Sequence, residues 1–522
     1  MTSQAPPFRR VLVANRGEIA VRIIRACHEL GMEAVAVYSD IDAEAMHVRM
    51  ADQAVRLGPA PASESYLRLD AIVEAARATA SDAVHPGYGF LSERATFARA
   101  LEDAGIVFVG PPSGVIDALG DKVNARRLAW SVGVEGVPGS VEPVDVDRPD
   151  AVAGIVADAE RIGFPLLVKA AAGGGGRGMR RVATADALPA ALAAGSAEAA
   201  AAFGDGSVYL EREIHPARHV EVQLLGDATG RIVPIGERDC SLQRRHQKLL
   251  EEAPAPGLSR DERRHLHGLA VKVASAAGLR NAATAEFLRA PDGTSYFLEV
   301  NTRLQVEHGV TELVAGIDIV REQFWLAAGR PLSAAAEAAA ASAAEPDGHA
   351  IEVRLAAEDP ARDFAPGPGP IRHWVMPSGP GVRVDTGLAL GDRVPPDYDN
   401  LMAKILIHAD DRDAAIDRLR RALDETEIAG LQSTLPFHRF VARHAGFRAA
   451  DLSTEWVTEH WDGPRERARF VDLAVAAAAS AATGRLGGGH GAPAPDAIRP
   501  RPSPSGTWAS VARTEATDRW PR

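Results

Sequence analysis

The sequence predicts a multidomain protein in which an α/β region is followed by α+β regions. At 522 residues the chain is too long for a single hydrophobic core. Residues 8 to about 120 alternate short apolar runs, such as RVLVAN and IVFVG, with amphipathic stretches, which is typical of a parallel sheet covered by helices. From about 214 to 460 longer segments alternate polar and apolar residues, which predicts a largely antiparallel sheet.

The first predicted strand ends in the turn Asn15-Arg16-Gly17-Glu18, which contains one glycine. A dinucleotide site would need the pattern G-x-G-x-x-G at this place, because the pyrophosphate approaches the backbone closely there. The N-terminal region is therefore predicted to have a Rossmann-like topology without a dinucleotide site.

A glycine run, AAGGGGRG, lies between the strand-like segments FPLLVKA and MRRVAT. A P-loop would need G-K-[ST] at the start of a helix, so strand, glycine loop and strand predict a hairpin instead. The backbone N–H groups of such a loop can surround phosphate oxygens, and Lys169 lies just before it. We interpret residues from about 140 to 213 as a region with a mobile, phosphate-binding flap; a flexible linker is the alternative.

Composition excludes several classes of protein. A net charge of −12 without a basic run argues against nucleic acid as the main partner. No apolar stretch resembles a signal core or a membrane span, so a cytoplasmic location is predicted, without a membrane partner. Cys27 and Cys240 support neither a disulfide framework nor a cysteine-based metal site. Residues 465–522 are dominated by Ala, Gly, Pro, Arg and Ser, which predicts a disordered tail.

Lysine is rare in this chain, which has five lysines and 53 arginines. A compact ammonium binds phosphate oxygens as a point charge, which a planar guanidinium does not reproduce. Lys122, Lys169 and Lys248 lie beside other candidate features of a nucleotide site. For Lys272 and Lys404, retention by chance on the surface is an equally good explanation.

Residues 299–307 (EVNTRLQVE) alternate polar and apolar side chains, and Glu286 lies one predicted strand upstream. Sheet pairing could bring Glu286 beside Glu299, and two carboxylates with an amide oxygen suit Mg²⁺; an ordinary amphipathic strand is the alternative. In a straight strand Glu299 and Glu307 would lie about 26 Å apart, so the chain is expected to bend after about Arg303. The segment 237–248 is equally compatible with a site and with a solvated loop.

Nine segments in order resemble one family: LVANRGEIAVRIIRA, HPGYGFLSE, GDKVNARR, KAAAGGGGRGMR, RHVEVQ, ERDCSLQRRHQK, EEAPAP, FLEVNTRLQVEH and YDNLMAKI. They are similar to the biotin carboxylase component of biotin-dependent carboxylases, which is an ATP-grasp enzyme, and the likeness covers residues from about 8 to 458. It implies a Rossmann-like domain at 8–120, an ATP-grasp domain at 121–345 and an antiparallel C-terminal domain at 346–460.

The resemblance also implies a reaction and its residues. ATP, bicarbonate and carrier-bound biotin would give carboxybiotin through carboxyphosphate, as the first half-reaction of an acyl-CoA carboxylase in fatty acid metabolism. The implied catalytic residues are Arg303, Glu307 (the base), Lys248 and Arg354, with Lys248, Arg303, Gln305 and Val306 on bicarbonate and Arg354 on biotin. The implied ATP-binding residues are Lys122, Lys169, Gly175, Gly176, Glu211, His219, Gln243, His246, Glu286 and Glu299. Mg²⁺ or Mn²⁺ would be held by Glu286, Glu299 and Asn301.

The sequence departs from the family pattern at three positions. Ala172 stands where the family usually has glycine, Gly309 where proline is expected and Arg212 where lysine is expected. We expect a slightly stiffer flap from the first and a looser backbone beside Glu307 from the second. Arg212 is tolerable if only its backbone contacts the adenine.

Two other classes of function compete with this one. Another ATP-grasp ligase would join an activated carboxylate to an amine, and a non-catalytic assembly subunit would keep only the fold. No biotinylation segment of the Ala-Met-Lys-Met type is visible, and no lysine follows Lys404. We therefore expect a separate biotin carboxyl carrier protein and a carboxyltransferase as partners, and a homodimer.

Overall fold

The computed structural model describes residues 5–140, 142–144, 146, 149–171, 179–469, 471–472 and 475, without the side chains of 149–153 and 202–203. The chain divides into two compact units, residues 1–463 and 464–522. Most of the predicted tail and the whole glycine run from residue 172 to 178, with Gly175 and Gly176, lie outside the described residues.

A five-stranded parallel sheet forms the N-terminal region, as predicted. Its strand order is β3-β2-β1-β4-β5, and the first helix begins at Gly17 directly after the turn that follows β1. The apolar runs are buried because helices cover both sides of a parallel sheet. The elements are β1 (Arg10–Val13), α1 (Gly17–Glu29), β2 (Glu33–Ser39), α2 (Met46–Met50), β3 (Gln53–Gly58), α3 (Leu69–Ala78), β4 (Ala83–His85), α4 (Ala95–Asp103), β5 (Val107–Phe108), α5 (Ser113–Gly120) and α6 (Lys122–Ser131).

A small antiparallel sheet with the order β7-β6-β8 follows. The elements are α7 (Pro149–Ile162), β6 (Leu166–Ala170), β7 (Arg180–Val182), α8 (Leu188–Phe203) and β8 (Val208–Arg212). Strands β6 and β7 pair in an antiparallel register, with Leu166 opposite Val182. The hairpin predicted around the glycine run is confirmed.

An eight-stranded antiparallel sheet occupies the rest of the first unit, in the order β13-β12-β9-β10-β11-β14-β21-β19. The elements up to residue 356 are β9 (Arg218–Gly226), β10 (Ile232–Arg244), β11 (Gln247–Ala253), α9 (Arg260–Ala276), β12 (Asn281–Arg289), β13 (Ser295–Asn301), α10 (His308–Ala315), α11 (Ile319–Ala327), α12 (Ala334–Ser342) and β14 (His349–Ala356). The later elements are β15 (Glu358–Asp359), β16 (Ala365–Pro366), β17 (Gly369–Pro370), β18 (His373–Val375), β19 (Val382–Thr386), β20 (Arg393–Val394), β21 (Leu401–Ala409), α13 (Arg412–Glu425), β22 (Glu427–Ala429), α14 (Leu435–Val441), α15 (Ala445–Arg448) and α16 (Trp456–His460). The predicted antiparallel sheet is confirmed. Because β11 pairs with β14, the sheet continues without a break across the expected domain boundary between residues 345 and 346.

The two faces of this sheet differ in chemistry. On β9, Val220, Val222 and Leu224 enter an apolar core, whereas Glu221 and Gln223 point to the opposite face. Side chains alternate between the faces of a strand, so one register buries the apolar residues and gathers the polar residues on the other side. The candidate site is built on this polar face.

Glu312 on α10 connects three parts of the first unit. Its carboxylate lies 2.9 Å from the Arg22 guanidinium of α1 and 2.7 Å from that of Arg383 on β19. Burial opposes ionisation of Glu312, but Arg22, His308 and Arg383 outweigh it and lower its pKa to about 2. The ion pairs therefore stabilise the fold at neutral pH.

We expect Glu312→Gln to lower the free energy of unfolding at pH 7 by about 3 kcal/mol, since each pKa unit corresponds to about 1.4 kcal/mol. A lowered pKa stabilises above the unfolded value of about 4.3, and this stabilisation disappears as the pH falls toward 2. The difference in Tm between wild type and variant should therefore shrink between pH 7 and pH 3. The exposed Glu425→Gln, which loses only the pair with Arg421, serves as the control. A Tm difference for Glu312→Gln that stays constant with pH would contradict this account.

In the part of the chain that the structure describes, no helix combines the length and apolar character that crossing a membrane requires. Cys27 and Cys240 are both free and buried.

Candidate active site on the polar face of the large sheet

Four charged residues lie directly opposite one another on neighbouring strands of the sheet. The register places Glu299 of β13 opposite Glu286 of β12, Glu286 opposite Glu221 of β9, and Glu221 opposite Arg238 of β10. The predicted pairing of Glu286 with Glu299 is confirmed. Like charges at opposed positions destabilise a sheet, so this carboxylate row requires cations.

Lys248 on β11 supplies the central cation. Its Nζ lies 2.5 Å from Glu221 Oε2, 3.0 Å from Glu286 Oε1 and 2.6 Å from Glu307 Oε1. Burial disfavours the ammonium, but the three carboxylates raise the pKa of Lys248 well above its usual value. Lys248 is therefore charged at every working pH and links the row to Glu307.

Arg238 completes the row from a fully buried position. Its Nε donates to Glu221 Oε1 at 2.6 Å, and its Nη1 donates to Gln223 and Thr311 at 2.9 Å each. Our sequence reasoning assigned no role to Arg238 or Glu221. The signal was present in HVEVQ, where a charged residue alternates with apolar residues in a strand that is otherwise buried.

The Glu307 carboxylate lies between two cations. Lys248 binds Oε1, and Arg354 Nη2 on β14 donates to Oε2 at 2.9 Å. Arg354 also donates through Nε to Glu251 at 2.6 Å. Burial alone would raise the pKa of Glu307, but Lys248 and Arg354 hold it well below the usual value. Glu307 is thus an ionised, fully buried carboxylate.

The chain between β13 and α10 returns over the carboxylate row. Strand β13 ends at Asn301, so Arg303 and Gln305 do not belong to the strand. The chain bends at Arg303, which confirms the bend predicted at about this residue. Arg303 donates to Gln305 Oε1 at 2.8 Å and to Asn301 Oδ1 at 3.1 Å. Gln305 Nε2 donates to Glu286 Oε1 at 3.2 Å. The bend brings the predicted bicarbonate-binding side chains to the row.

Lys122 and Lys169 each contact a carboxylate. Lys122 Nζ lies 2.8 Å from Glu299 Oε2, and this contact is the main cause of the raised pKa of Lys122. Lys169 on β6 forms an ion pair with Glu211 on β8, to which Arg126 also donates at 3.2 Å. Lys122 therefore lies at the Glu299 end of the row, and Lys169 lies in the small sheet that carries the hairpin.

Of the predicted ATP-binding residues on β9, on β10 and in the turn after β10, two are buried and one is exposed. His219 Nε2 lies 2.9 Å from Glu286 Oε2; burial opposes its charged form, but Glu286 raises its pKa. Gln243 is buried on β10. Arg245 and His246 form the exposed two-residue turn between β10 and β11, with φ angles of +49° and +63°. The segment 237–248 is therefore mostly buried strand and not a solvated loop.

The oxygen atoms of Glu286, Glu299 and Asn301 are chemically suited to Mg²⁺, a hard ion that prefers oxygen ligands. All three residues lie on one face of β12 and β13, and Lys122 holds the Glu299 carboxylate there. Among the described residues, the ligand atoms of His219, Glu221 and Cys240 also lie within 4.8 Å of one another. That second group does not suit Mg²⁺, because it offers an imidazole and a thiol beside a single carboxylate, and burial raises the pKa of the Cys240 thiol well above its usual value.

Two of the three sequence departures lie in the described residues. Gly309 is buried in the first turn of α10, and a Cβ at this position would meet Leu406 Cδ2 at 2.3 Å. The Leu406 side chain therefore fills the space beside the Glu307 segment. Arg212 is exposed at the end of β8, and its backbone N–H donates to Pro138 O at 2.7 Å. Ala172 lies outside the described residues.

Comparison with known proteins agrees with this architecture. The model of the carbamoyl-phosphate synthase L chain ATP-binding domain matches residues 121–335. The models of the biotin carboxylase N-terminal and C-terminal domains match residues 7–116 and 352–459. Fold and site thus define an ATP-grasp ligase with three domains.

Individual relatives narrow the class further. A biotin carboxylase from Pseudomonas aeruginosa is 48% identical over 440 residues, which cover 84% of this chain and 96% of the relative. The biotin-dependent acyl-coenzyme A carboxylase alpha3 subunit of Mycobacterium leprae is 44% identical over 89% of this chain and 76% of its own length. The biotin carboxylase domain of the Hydrogenobacter thermophilus 2-oxoglutarate carboxylase, solved as a dimer with MgADP, ADP and bicarbonate, is 42% identical with a TM-score of 0.82, covering 87% of this chain and 98% of that one. The chain belongs to the biotin carboxylase family, whose members carboxylate biotin with ATP.

Proposed function

We propose that the chain carboxylates biotin on a separate carrier protein, with bicarbonate as the carbon source and carboxyphosphate as the intermediate. The observation that carries the proposal is the Glu307 carboxylate, buried and shared between Lys248 and Arg354. An ionised base beside two cations is suited to bicarbonate. Bicarbonate is an anion, and it must lose a proton while it attacks ATP. Cations next to the base also hold the substrate in place.

The first step joins bicarbonate to the γ-phosphate of ATP. The hydroxyl oxygen of bicarbonate attacks phosphorus, its proton passes to Glu307, and ADP leaves. Lys248, Arg303, Gln305 and the backbone at Val306 hold the bicarbonate in line. Positioning and charge neutralisation provide most of the rate enhancement in phosphoryl transfer, which suits a site rich in cations.

Nucleotide binding would use the lysines that now contact carboxylates. Lys122 and Lys169 bind the phosphates, while Glu211 with His219, Gln243 and His246 surrounds the adenosine part. Glu286, Glu299 and Asn301 hold Mg²⁺, which neutralises phosphate charge when bound. Gly175 and Gly176 contribute backbone N–H groups in this proposal. The Hydrogenobacter thermophilus domain was solved with MgADP, which supports the proposal of a nucleotide and magnesium site.

The second step transfers the carboxyl group to biotin. The ureido nitrogen forms a bond to the carboxyl carbon of carboxyphosphate while the bond from that carbon to the phosphate oxygen breaks, and the departing phosphate takes the proton of the ureido nitrogen. Negative charge develops on the ureido oxygen, and Arg354 stabilises it. Because the Arg354 guanidinium is protonated at any working pH, this stabilisation does not depend on pH.

We further propose that a carrier protein and a carboxyltransferase complete the enzyme, that this chain is a homodimer and that an acyl-CoA is the acceptor. The Mycobacterium leprae relative is a subunit of an acyl-coenzyme A carboxylase, whereas the Hydrogenobacter thermophilus domain belongs to a 2-oxoglutarate carboxylase. The partner therefore decides the acceptor. Mass spectrometry of the purified native complex tests this part, and an α-keto acid carboxyltransferase in that complex would contradict it. The boundaries 8–120, 121–345 and 346–460 belong to the same proposal.

The function is tested by ADP formation from ATP with and without bicarbonate and free biotin. We expect ADP formation to require bicarbonate and to increase with biotin. A ligase of another specificity would need its own amine substrate. A non-catalytic subunit would produce no ADP under any of these conditions.

Glu299→Gln tests the metal site. We expect the Mg²⁺ concentration for half-maximal ADP formation to rise at least tenfold, because an amide is a weaker ligand for a hard cation than a carboxylate. The matched control is Glu337→Gln on α12, whose carboxylate pairs with the exposed Arg231. An unchanged Mg²⁺ requirement in Glu299→Gln would remove this residue from the metal site.

A further inference from the structure

Lys404 on β21 is a buried lysine to which the proposed reaction assigns no role. The Lys404 side chain is fully buried, so the explanation that this lysine was retained by chance on the surface does not apply to it. Lys272, for which the same explanation was considered, is exposed on α9. The Lys404 Nζ donates to the backbone carbonyl of Val306 at 2.9 Å. Glu18 Oε1 of α1 and Asp385 Oδ2 of β19 lie 3.3 Å and 3.7 Å from the same nitrogen.

The bonded carbonyl belongs to the peptide that leads into Glu307. The carboxylate end of Glu307 is fixed by Lys248 and Arg354, and Lys404 fixes the backbone end. Glu307 is also the N-cap residue of α10, but its side chain accepts no hydrogen bond from the first turn of the helix, because its carboxylate points to the cations. Without Lys404, the carbonyl before Glu307 would lose its hydrogen bond to β21.

We propose that Lys404 is a positioning residue that holds the Val306–Glu307 peptide against the sheet and thereby places the base on bicarbonate. This inference rests on the proposed function. It connects the three chain regions that meet at the site, since Glu18, Val306 and Asp385 come from α1, the segment before α10 and β19.

The chemistry of the position favours lysine. The register places Lys404 between Arg354 of β14 and Asp385 of β19, on the polar face of the sheet. Burial disfavours the ammonium, but Glu18, Glu352 and Asp385 raise the pKa of Lys404. A compact ammonium can donate to a carbonyl and still lie close to two carboxylates, which a larger planar guanidinium does not reproduce in a closed space.

A purely structural ion pair is the competing explanation, and enzyme kinetics separate the two. We expect Lys404→Met to raise the KM for bicarbonate about tenfold and to lower kcat about 100-fold, because a misplacement of about 1 Å costs a factor of this size. The KM for ATP should stay within a factor of about two, since the nucleotide residues do not contact Lys404 in this proposal.

The matched control is Asp385→Asn, which removes one anion from the same buried group but leaves the Lys404 bond to Val306 in place. We expect this control to lower Tm and to keep the KM for bicarbonate near that of wild type. If Lys404→Met alone does not fold, Lys404→Met combined with Glu18→Gln removes one charge of each sign, and the same kinetic pattern is expected.

The outcomes are distinct. A raised KM for bicarbonate with an unchanged KM for ATP supports the proposal. Folded Lys404→Met enzyme with wild-type kinetics and only a lower Tm overturns it, and so does an equal change in Lys404→Met and Asp385→Asn. Wild-type enzyme that forms ADP without any dependence on bicarbonate overturns the proposed function itself, before any variant is compared.

Discussion

Glu307→Gln is expected to lower bicarbonate-dependent ADP formation by about 10³-fold while ATP binds with nearly unchanged affinity. General-base catalysis contributes about 10²- to 10⁴-fold, and an amide cannot accept the proton. The change also affects the cations, because the amide NH₂ group would face either Lys248 or Arg354 in place of a carboxylate oxygen. Binding of a fluorescent ATP analogue and steady-state ADP release measure the two quantities separately.

A matched control for Glu307→Gln exists on the same sheet. Glu237 on β10 is also fully buried; it forms an ion pair with Arg263 at 2.7 Å and a hydrogen bond with His267 at 2.8 Å. It alternates with Arg238 along the strand and so points to the opposite face. Glu237→Gln should lower stability and leave the dependence on bicarbonate intact. A parallel loss of ATP affinity in Glu307→Gln would count against its role as a base.

Much of the fold was predictable because it depends on patterns with a fixed period. Alternation in β9, β12 and β14 follows from the geometry of a strand, and the parallel N-terminal sheet follows from buried apolar runs between amphipathic helices. The pairing of Glu286 with Glu299 was predictable because the two strands are consecutive in the sequence. The roles of the site residues came from the family resemblance, because a periodic sequence pattern predicts strands and helices but not the chemical role of a side chain.

The remaining features depend on contacts between distant parts of the chain. Glu221, Arg238 and Lys404 appear in the quoted motifs, but their roles depend on partners that folding brings together, such as the Val306 carbonyl, 98 positions away from Lys404. The bend at Arg303 was predictable from distance, but the end of β13 at Asn301 was not, because the polar alternation continues through Thr302 and Arg303 although the strand has ended. Sequence period reports side-chain chemistry and does not report where backbone pairing stops.

Arg354→Ala is expected to reduce biotin carboxylation about 10³-fold and the biotin-independent, bicarbonate-dependent formation of ADP only about tenfold. Loss of one donor to a developing oxyanion costs about 10²- to 10³-fold, and this loss applies only to the step that involves biotin. The smaller loss arises because Arg354 is also one of the two cations that hold Glu307, while Lys248 remains. Both rates are measured on one enzyme preparation, with and without free biotin.

Arg412→Ala is the matched control for Arg354→Ala. Arg412 forms an ion pair with the buried Glu252, the residue next to Glu251, at 2.7 Å, so its loss also leaves a buried carboxylate without its arginine. Stability should fall in both variants, because an uncompensated buried charge costs about 3 to 5 kcal/mol. The ratio of biotin-dependent to biotin-independent turnover should fall only in Arg354→Ala. Equal losses of both activities in Arg354→Ala would mean that Arg354 only holds Glu307 and does not stabilise the ureido oxygen. A residue that stabilises the ureido oxygen must reduce the biotin-dependent activity more than the biotin-independent one.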